Sequence, residues 1–378
     1  GNNTSSNVPV QVTGLAGMLA IAGGQFHSLA LKNDGTVRTW GDNISGQLGN
    51  GNSIASNVPV QVSSLAGITA IASGFDHSLA LKNDGTVWTW GNNALGQLGN
   101  GNNIDSNVPV QVIGLTGIVA IAGGSAHSFA LKNDGTVWAW GWNLYGQLGI
   151  GNNTSSNVPL KINSLTGITA IAAGQENSIA LKNDSTIRTW GRNNYGQLGN
   201  GNNTNTNVPV QISSLTSIVA IAGGYTHTLG LKKDGSLWSW GYNGYGQLGN
   251  GNTTDSNVPV KAIGLCSVLI DISDAFATLN EVNVYPNPSN GVFNLIIESP
   301  STLFRTVSTK QSQISICNLL GEVIFQSAIP PFGDKQRSNN SNIPAQVTID
   351  ISAQPNGVYF LIVDNEQVTI NKKLILQK

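Results

Sequence analysis

Short runs of alternating hydrophobic and polar residues recur in a fixed order over residues 1–265. In one copy, "ITAIAS" (Ile68–Ser73) is small and apolar, and "HSLALK" (His77–Lys82) puts Leu79 and Leu81 on one face. "TVWTWG" (Thr86–Gly91) then sets Trp88 and Trp90 in opposite parity to Val87. "VPVQV" (Val108–Val112) is β-branched and carries a proline, which cannot donate to a neighbouring strand and so suits an outer edge. Alternation at period two predicts strands. The "NDG" between the second and third runs supplies residues that tolerate the positive φ of a tight hairpin. No helical period of useful length is present, so each copy reads as four strands.

The copies keep strict register. "WG" falls at Trp40, Trp90, Trp140, Trp190 and Trp240, and "NVPV" or "NVPL" at Asn7, Asn57, Asn107, Asn157, Asn207 and Asn257, a constant step of 50 residues. Four antiparallel strands in about 40–50 residues match one blade of a β-propeller. The Ala/Gly-rich strand fits a crowded centre and the proline strand the rim. Leu, Ile and Trp side chains would fill the space between blades. A stacked β-solenoid is the alternative architecture.

"WGNNALGQLGNGN" (Trp90–Asn102), preceded by "GFDHSLALKNDG" (Gly74–Gly85), resembles the RCC1 (regulator of chromosome condensation) repeat. W-G-x-N-x-x-G-Q-L-G occurs in all five copies, with Asp42-Asn43 in the first. The resemblance implies an all-β propeller of typically about seven blades. Five full units are present over residues 1–265, and residues 1–17 supply only the last strand of an earlier one. Further blades are therefore expected upstream of Gly1, with closure on five or six blades as the alternative.

After Leu265 the repeat dissolves. "CSVLIDIS" (Cys266–Ser273) reads as a degenerate strand and "DAFATLNE" (Asp274–Glu281) as a linker, and no tryptophan follows Trp240. Strand-like runs at 292–298, 313–326, 346–352, 357–364 and 371–378 predict a small Ig-like β-sandwich over 282–378, with a mobile surface loop at 330–344. This segment resembles the type IX secretion system C-terminal sorting domain. The residues that carry the resemblance are Tyr285, Pro286, Asn287, Pro288 and Gly291, then Gly321, Gly357 and Tyr359, and Lys372 and Lys373 near the end. The loop at Pro330 exceeds the family's usual length. The resemblance implies that the type IX machinery exports the chain across the outer membrane of a Gram-negative, Bacteroidetes-type bacterium. Removal of the domain and release or surface attachment of the rest would follow.

Composition narrows the partners. Of 378 residues, 40% are hydrophobic and 10% charged, and the net charge is −1. That gives no electrostatic case for nucleic acid or an anionic membrane. No apolar run of about 18 residues predicts a membrane-spanning helix. The chain starts at Gly1 without an initiator Met or signal-peptide pattern, which reads as a processed product or a fragment. Cys266 and Cys317 lie outside the repeats and match no zinc or redox motif. No metal or cofactor is predicted.

The chemistry-bearing residues are mostly scaffold in this reading. His27, His77, His127 and His227 share one register, with Asn177 in the fourth copy. Ligands repeated on successive blades ring an axis and do not converge on a metal. Asp34, Asp84, Asp134, Asp184 and Asp234 sit in the hairpin turn. Asp76 and Glu176 break their register, but two blades separate them, which leaves them as solvated loop acids. Arg38 and Arg188, where other copies have Trp, are expected to stack on a neighbouring Trp. The Gly-Trp-Arg-His-Thr repeat of plant ultraviolet receptors is absent.

What varies between copies points to recognition. Variation concentrates before the His register (Gln25-Phe26, Phe75-Asp76, Tyr225, Glu176) and after "WG" (Asp42, Leu95, Trp142, Tyr145, Arg192, Tyr195, Tyr242, Tyr245). In an antiparallel meander both segments leave from the same end. Tyr, Trp and Arg anchor protein interfaces, and aromatic rings also stack on sugars. The expectation is a secreted or cell-surface binding module for a protein or glycan. An exported hydrolase or lyase and a structural surface element are the alternatives.

Overall fold

The computed structural model describes residues 1–263 and, beyond them, 282–285, 292–297, 313–317, 323–328, 345–350, 353, 357–365 and 368–376. Contacts divide the chain into two units, Gly1–Lys233 with Leu237–Ala262, and Ile263–Lys378 with Asp234–Ser236.

The first unit contains five four-stranded antiparallel meanders. They comprise β1–β4 (Met18–Gly23, His27–Lys32, Val37–Gly41, Ser56–Gln61) and β5–β8 (Ile68–Ser73, His77–Lys82, Val87–Gly91, Ser106–Gln111). Next come β9–β12 (Ile118–Gly123, His127–Lys132, Val137–Gly141, Ser156–Lys161) and β13–β16 (Ile168–Ala173, Asn177–Lys182, Ile187–Gly191, Thr206–Gln211). The last is β17–β20 (Ile218–Gly223, His227–Lys232, Leu237–Gly241, Ser256–Lys261). The proline strand lies at the outer edge of each sheet, as expected. The small-residue strands β1, β5, β9, β13 and β17 neighbour one another in sequence order at the inside. Small residues are needed there: a Cβ at Gly123 would press on the backbone of Ser73 and Gly74. Phe75 of the second blade touches Tyr225 of the fifth. A linear stack would hold these units apart, so the sheets radiate about an axis as propeller blades, not a solenoid.

Period-two alternation splits each sheet into two apolar faces, and the core lies between blades. Leu79, Leu81, Val87, Val112 and Leu115 of the second blade meet Ile118, Ala130 and Trp140 of the third. The same registers build the other three interfaces. Trp140 is fully buried. Removing roughly 200 Å² of its surface from water contributes at most about 5 kcal/mol. The third strand starts one residue later than expected because Asp84 Oδ1 accepts from both the backbone N and Oγ1 of Thr86, holding Thr86 in the turn. The outer strand starts earlier, at Ser106.

The second unit has two antiparallel sheets, in the strand number of an Ig-like fold. One orders β21 (Val282–Tyr285), β22 (Val292–Ile297) and β25 (Ala345–Asp350) as 21-22-25. The other orders β23 (Gln313–Cys317), β24 (Val323–Ala328), β26 (Gly357–Asn365) and β27 (Val368–Leu376) as 24-23-26-27. The run expected over 313–326 is thus two strands, and Val282–Tyr285 is a further strand. Tyr285 ends β21, while Gly357 and Tyr359 in β26 pair with Leu376 and Leu374 of β27, which also carries Lys372 and Lys373. Pro286, Asn287, Pro288, Gly291 and Gly321 lie outside the described residues, as do the expected strand and linker at 266–281 and the loop at 330–344.

Candidate binding face

One hydrogen bond per blade brings the two variable segments together. The backbone N–H of Asp42 donates to Phe26 O (2.8 Å), and Asn92, Trp142, Arg192 and Tyr242 repeat this to residues 76, 126, 176 and 226. At the opposite end the hairpin turn bonds the inter-blade connector, with Asn33 N–H to Gly17 O and Ile68 N–H to Gly35 O. The variable loops therefore share one end of the unit and the copied turns the other.

The invariant signature residues hold these loops from beneath. Asn93 is buried; its Nδ2 donates to the carbonyls of Asn102 and Ile104, and its Oδ1 accepts from Leu98 N–H. Gln97 Oε1 accepts from Leu95 N–H, and the Gln97 carbonyl is the staple to the next blade. It accepts from Trp140 Nε1 (2.9 Å) and from Ser128 Oγ (3.0 Å). His77 Nε2 lies 2.9 Å from that same Oγ. The serine proton is committed to the carbonyl, so His77 donates through Nε2. Burial lowers the pKa of His77 and His127 to about 3 and that of His27 to about 4. In the fourth blade Asn177 Nδ2 donates to Thr228 Oγ1 (3.2 Å) in the same place. The register is an inter-blade joint, consistent with a structural role.

A second belt runs around the axis. Gln25 N–H donates to Phe75 O, Phe75 to Ser125 O, Ser125 to Gln175 O and Gln175 to Tyr225 O, at 2.9–3.1 Å. The bonds use backbone only, so the side chains at these positions can vary without breaking them. No side-chain signal in the sequence announces this belt.

On this base the last three blades carry a run of rings in two clusters, each of which crosses a blade boundary. Trp142 meets Tyr145 edge-on (5.5 Å), and the Arg192 guanidinium lies 5.0 Å from the Tyr145 ring centre. Tyr195 meets Tyr242 (5.0 Å, 62°), which meets Tyr245 (6.1 Å, 78°). Tyr245 is 89% exposed and the other rings of the run are partly exposed. Phe75 and Tyr225 form a separate stack (5.5 Å, 21°). Gln25, Phe26, Asp42, Asp76 and Leu95 belong to the first two blades and stand apart from the run of ring contacts; Phe26 is 66% exposed.

Two expectations need correction. Glu176 is not a solvated acid: it is only 6% exposed and ion-paired with Arg192 Nη1, which also raises the pKa of the arginine. The pairing replaces the water that burial removes. Asp76 is half-buried, and desolvation followed by the nearby Asp42 raises its pKa. Among the described residues the cation–π contacts are Arg192 over Tyr145 and Lys232 over Trp238, not stacks by Arg38 or Arg188. Arg188 instead keeps a buried Nη1 without a hydrogen-bond partner.

Residues 1–277 match the RCC1-like domain family. The chain belongs to that family. Residues 283–377 of this RCC1-like chain match the secretion system C-terminal sorting domain, which implies export by the type IX machinery. Among solved structures, human WBSCR16 is similar at 27% identity and a TM-score of 0.59, over 65% of this chain and 67% of that one. Prp20p from Saccharomyces cerevisiae is similar at 21% identity and a TM-score of 0.53, over 71% of this chain and 79% of that one. The second likeness shows the fold alone. No curated protein matches the chain. No described helix is long and apolar enough to cross a membrane.

Proposed function

We propose that this exported RCC1-like propeller is a binding module, released or held at the outer cell surface, that engages an extracellular protein or glycan through its variable loop end. One observation carries the reading. Positions that vary among the five copies place two aromatic clusters on the last three blades, Trp142 and Tyr145 with Arg192, and Tyr195 with Tyr242 and Tyr245, each crossing a blade boundary and raised on a base that is copied almost unchanged. A scaffold under packing constraint alone gives no reason for the rings to gather on one end.

The chain acts by binding, without turnover. His27, His77 and His127 are committed to inter-blade hydrogen bonds, and Glu176 is committed to Arg192. The test is partner capture by the full chain from the producing organism's culture medium and cell surface. Replacing Trp142 and Tyr145 with Ala together should abolish capture. Hydrolase or lyase turnover that disappears with Asp76→Asn or Glu176→Gln would favour the enzyme. Neither partner nor turnover would leave a structural surface element.

A further inference from the structure

Resting on the binding reading, we infer that the aromatic run on blades three to five takes a neutral glycan chain. Three features of the surface select that chemistry.

The first is the way the rings are presented. Their edge-on pairing, at 62–78° between planes, spends one ring's edge against another's face and leaves flat ring surface toward solvent. The C–H face of a sugar ring carries slight positive charge and complements the negative face of an aromatic ring. A protein hot spot is instead a desolvated pocket ringed by contacts that exclude water. Here the rings form an open, partly exposed platform that continues across blade boundaries, which suits a chain of similar units.

The second is charge. Arg192 is the cation within the run, and its charge is matched by Glu176 and spread over Tyr145. An anionic ligand would have to compete with a nearly buried carboxylate for that guanidinium. On the first two blades the same end carries Asp42 and Asp76, close enough for Asp42 to raise the pKa of Asp76. An acidic polymer finds no free positive group along the run and meets carboxylates beyond it, so the surface selects against it.

The third is hydrogen-bonding capacity beside the rings. Asn153 Nδ2 donates to Leu144 O, next to Tyr145, and Asn203 Nδ2 donates to Asn194 O, next to Tyr195. Asn207 Nδ2 reaches Asn153 Oδ1 (2.8 Å), and Asn257 Nδ2 reaches Asn203 Oδ1 (2.9 Å). All four amides are exposed or half-exposed, and each carboxamide has two donors and two acceptor sites, so capacity remains after these bonds. Fixed, neutral donors and acceptors flanking ring faces are what sugar hydroxyls require.

The test is an array of neutral and anionic glycans probed with the full chain, followed by titration of any neutral oligosaccharide retained. Retention on at least one neutral glycan series is expected, with affinity lowered about tenfold by Trp142→Ala and by Tyr245→Ala. Tyr245 is 89% exposed, so its replacement leaves packing intact and loss of binding cannot be ascribed to misfolding. Retention on anionic glycans alone, no retention on any glycan, or neutral binding unaffected by both substitutions would overturn the inference. A purified protein partner lost on the same substitutions, with no glycan retained, would overturn it and leave the binding reading standing. If neither glycan nor protein binds, both fall.

Discussion

Phe75 and Tyr225 stack with ring centres 5.5 Å apart and planes 21° from parallel, although three blade steps separate them in the chain. Both residues also belong to the backbone belt that links Gln25, Phe75, Ser125, Gln175 and Tyr225. Each ring leaves the loop after an innermost strand, where chain curvature brings distant blades together. The stack therefore fastens the second blade to the fifth directly. A double-mutant cycle of Phe75→Ala and Tyr225→Ala, read from urea midpoints, should give a coupling of about 0.5–1.5 kcal/mol. A coupling of zero would mean that the rings do not meet in solution.

Ser128 tests the staple between blades. Its Oγ donates to Gln97 O and accepts from His77 Nε2, both in fully buried surroundings. Ser128→Ala leaves the His77 N–H without an acceptor, while Trp140 still satisfies the carbonyl. The expected loss is about 1–3 kcal/mol, the penalty for an orphaned buried donor. Ser128→Thr keeps the hydroxyl, as Thr228 does in the fifth blade, and should melt closer to the parent.

The fourth blade departs from its siblings in the hairpin turn. Ser185 has φ 62°, where Gly35, Gly85, Gly135 and Gly235 take φ of 76–78°. A side chain in the left-handed region costs roughly 1 kcal/mol that glycine does not incur. Ser185→Gly should raise stability by about that amount in thermal or urea unfolding. An unchanged midpoint would show that the turn relaxes to accommodate serine.

Most of the propeller could be read from the sequence because repetition averages away local ambiguity. Leu81 and Trp90 each recur at fixed register, and only one packing puts every copy's Leu face against the next copy's Trp face. The chain of contacts on the loop end was legible only as a set of variable positions. Glu176 and Arg192 lie 16 residues apart, and the hydrogen bond from Arg192 N–H to Glu176 O is what makes them neighbours. The Phe75–Tyr225 contact depends on how far five sheets turn about an axis, which no local pattern encodes. In the C-terminal unit, motif order identified the family, but the strand at Val282–Tyr285 has too few residues for alternation to reveal it.

The Glu176–Arg192 pair is unequally exposed, and that inequality sets what each substitution does. The carboxylate is almost covered, whereas about a quarter of the arginine side chain remains accessible. Arg192→Ala strands a desolvated charge and should cost about 1–3 kcal/mol. Glu176→Gln leaves an arginine that water can reach and should cost less than about 1 kcal/mol. Equal losses in urea unfolding would mean that the carboxylate is better solvated than its surroundings indicate.

Acid should loosen the joints between blades before it affects the turns. His27, His77 and His127 are held neutral, with folded pKa values of about 4, 3 and 3 against about 6.5 when unfolded, and burial also lowers that of His227. Below pH 6.5 the unfolded chain takes up protons that the folded chain refuses. Stability is therefore complete above that pH and falls as pH drops toward 4, by about 1.4 kcal/mol per pH unit for each fully refusing histidine. The turn carboxylates Asp84 and Asp134 are held below the usual range by hydrogen bonds from Thr86 and Thr136. Their contribution is present above the ordinary carboxylate pKa and is lost only at lower pH, which separates the two windows. His77→Asn introduces the residue that the fourth blade already uses at Asn177 and removes one refusing site. Urea midpoints measured between pH 7 and 4.5 should then show about one proton fewer taken up on unfolding than in the parent. A slope identical to the parent's would show that His77 is already protonated in the folded propeller, contrary to the neutral state that burial imposes on it.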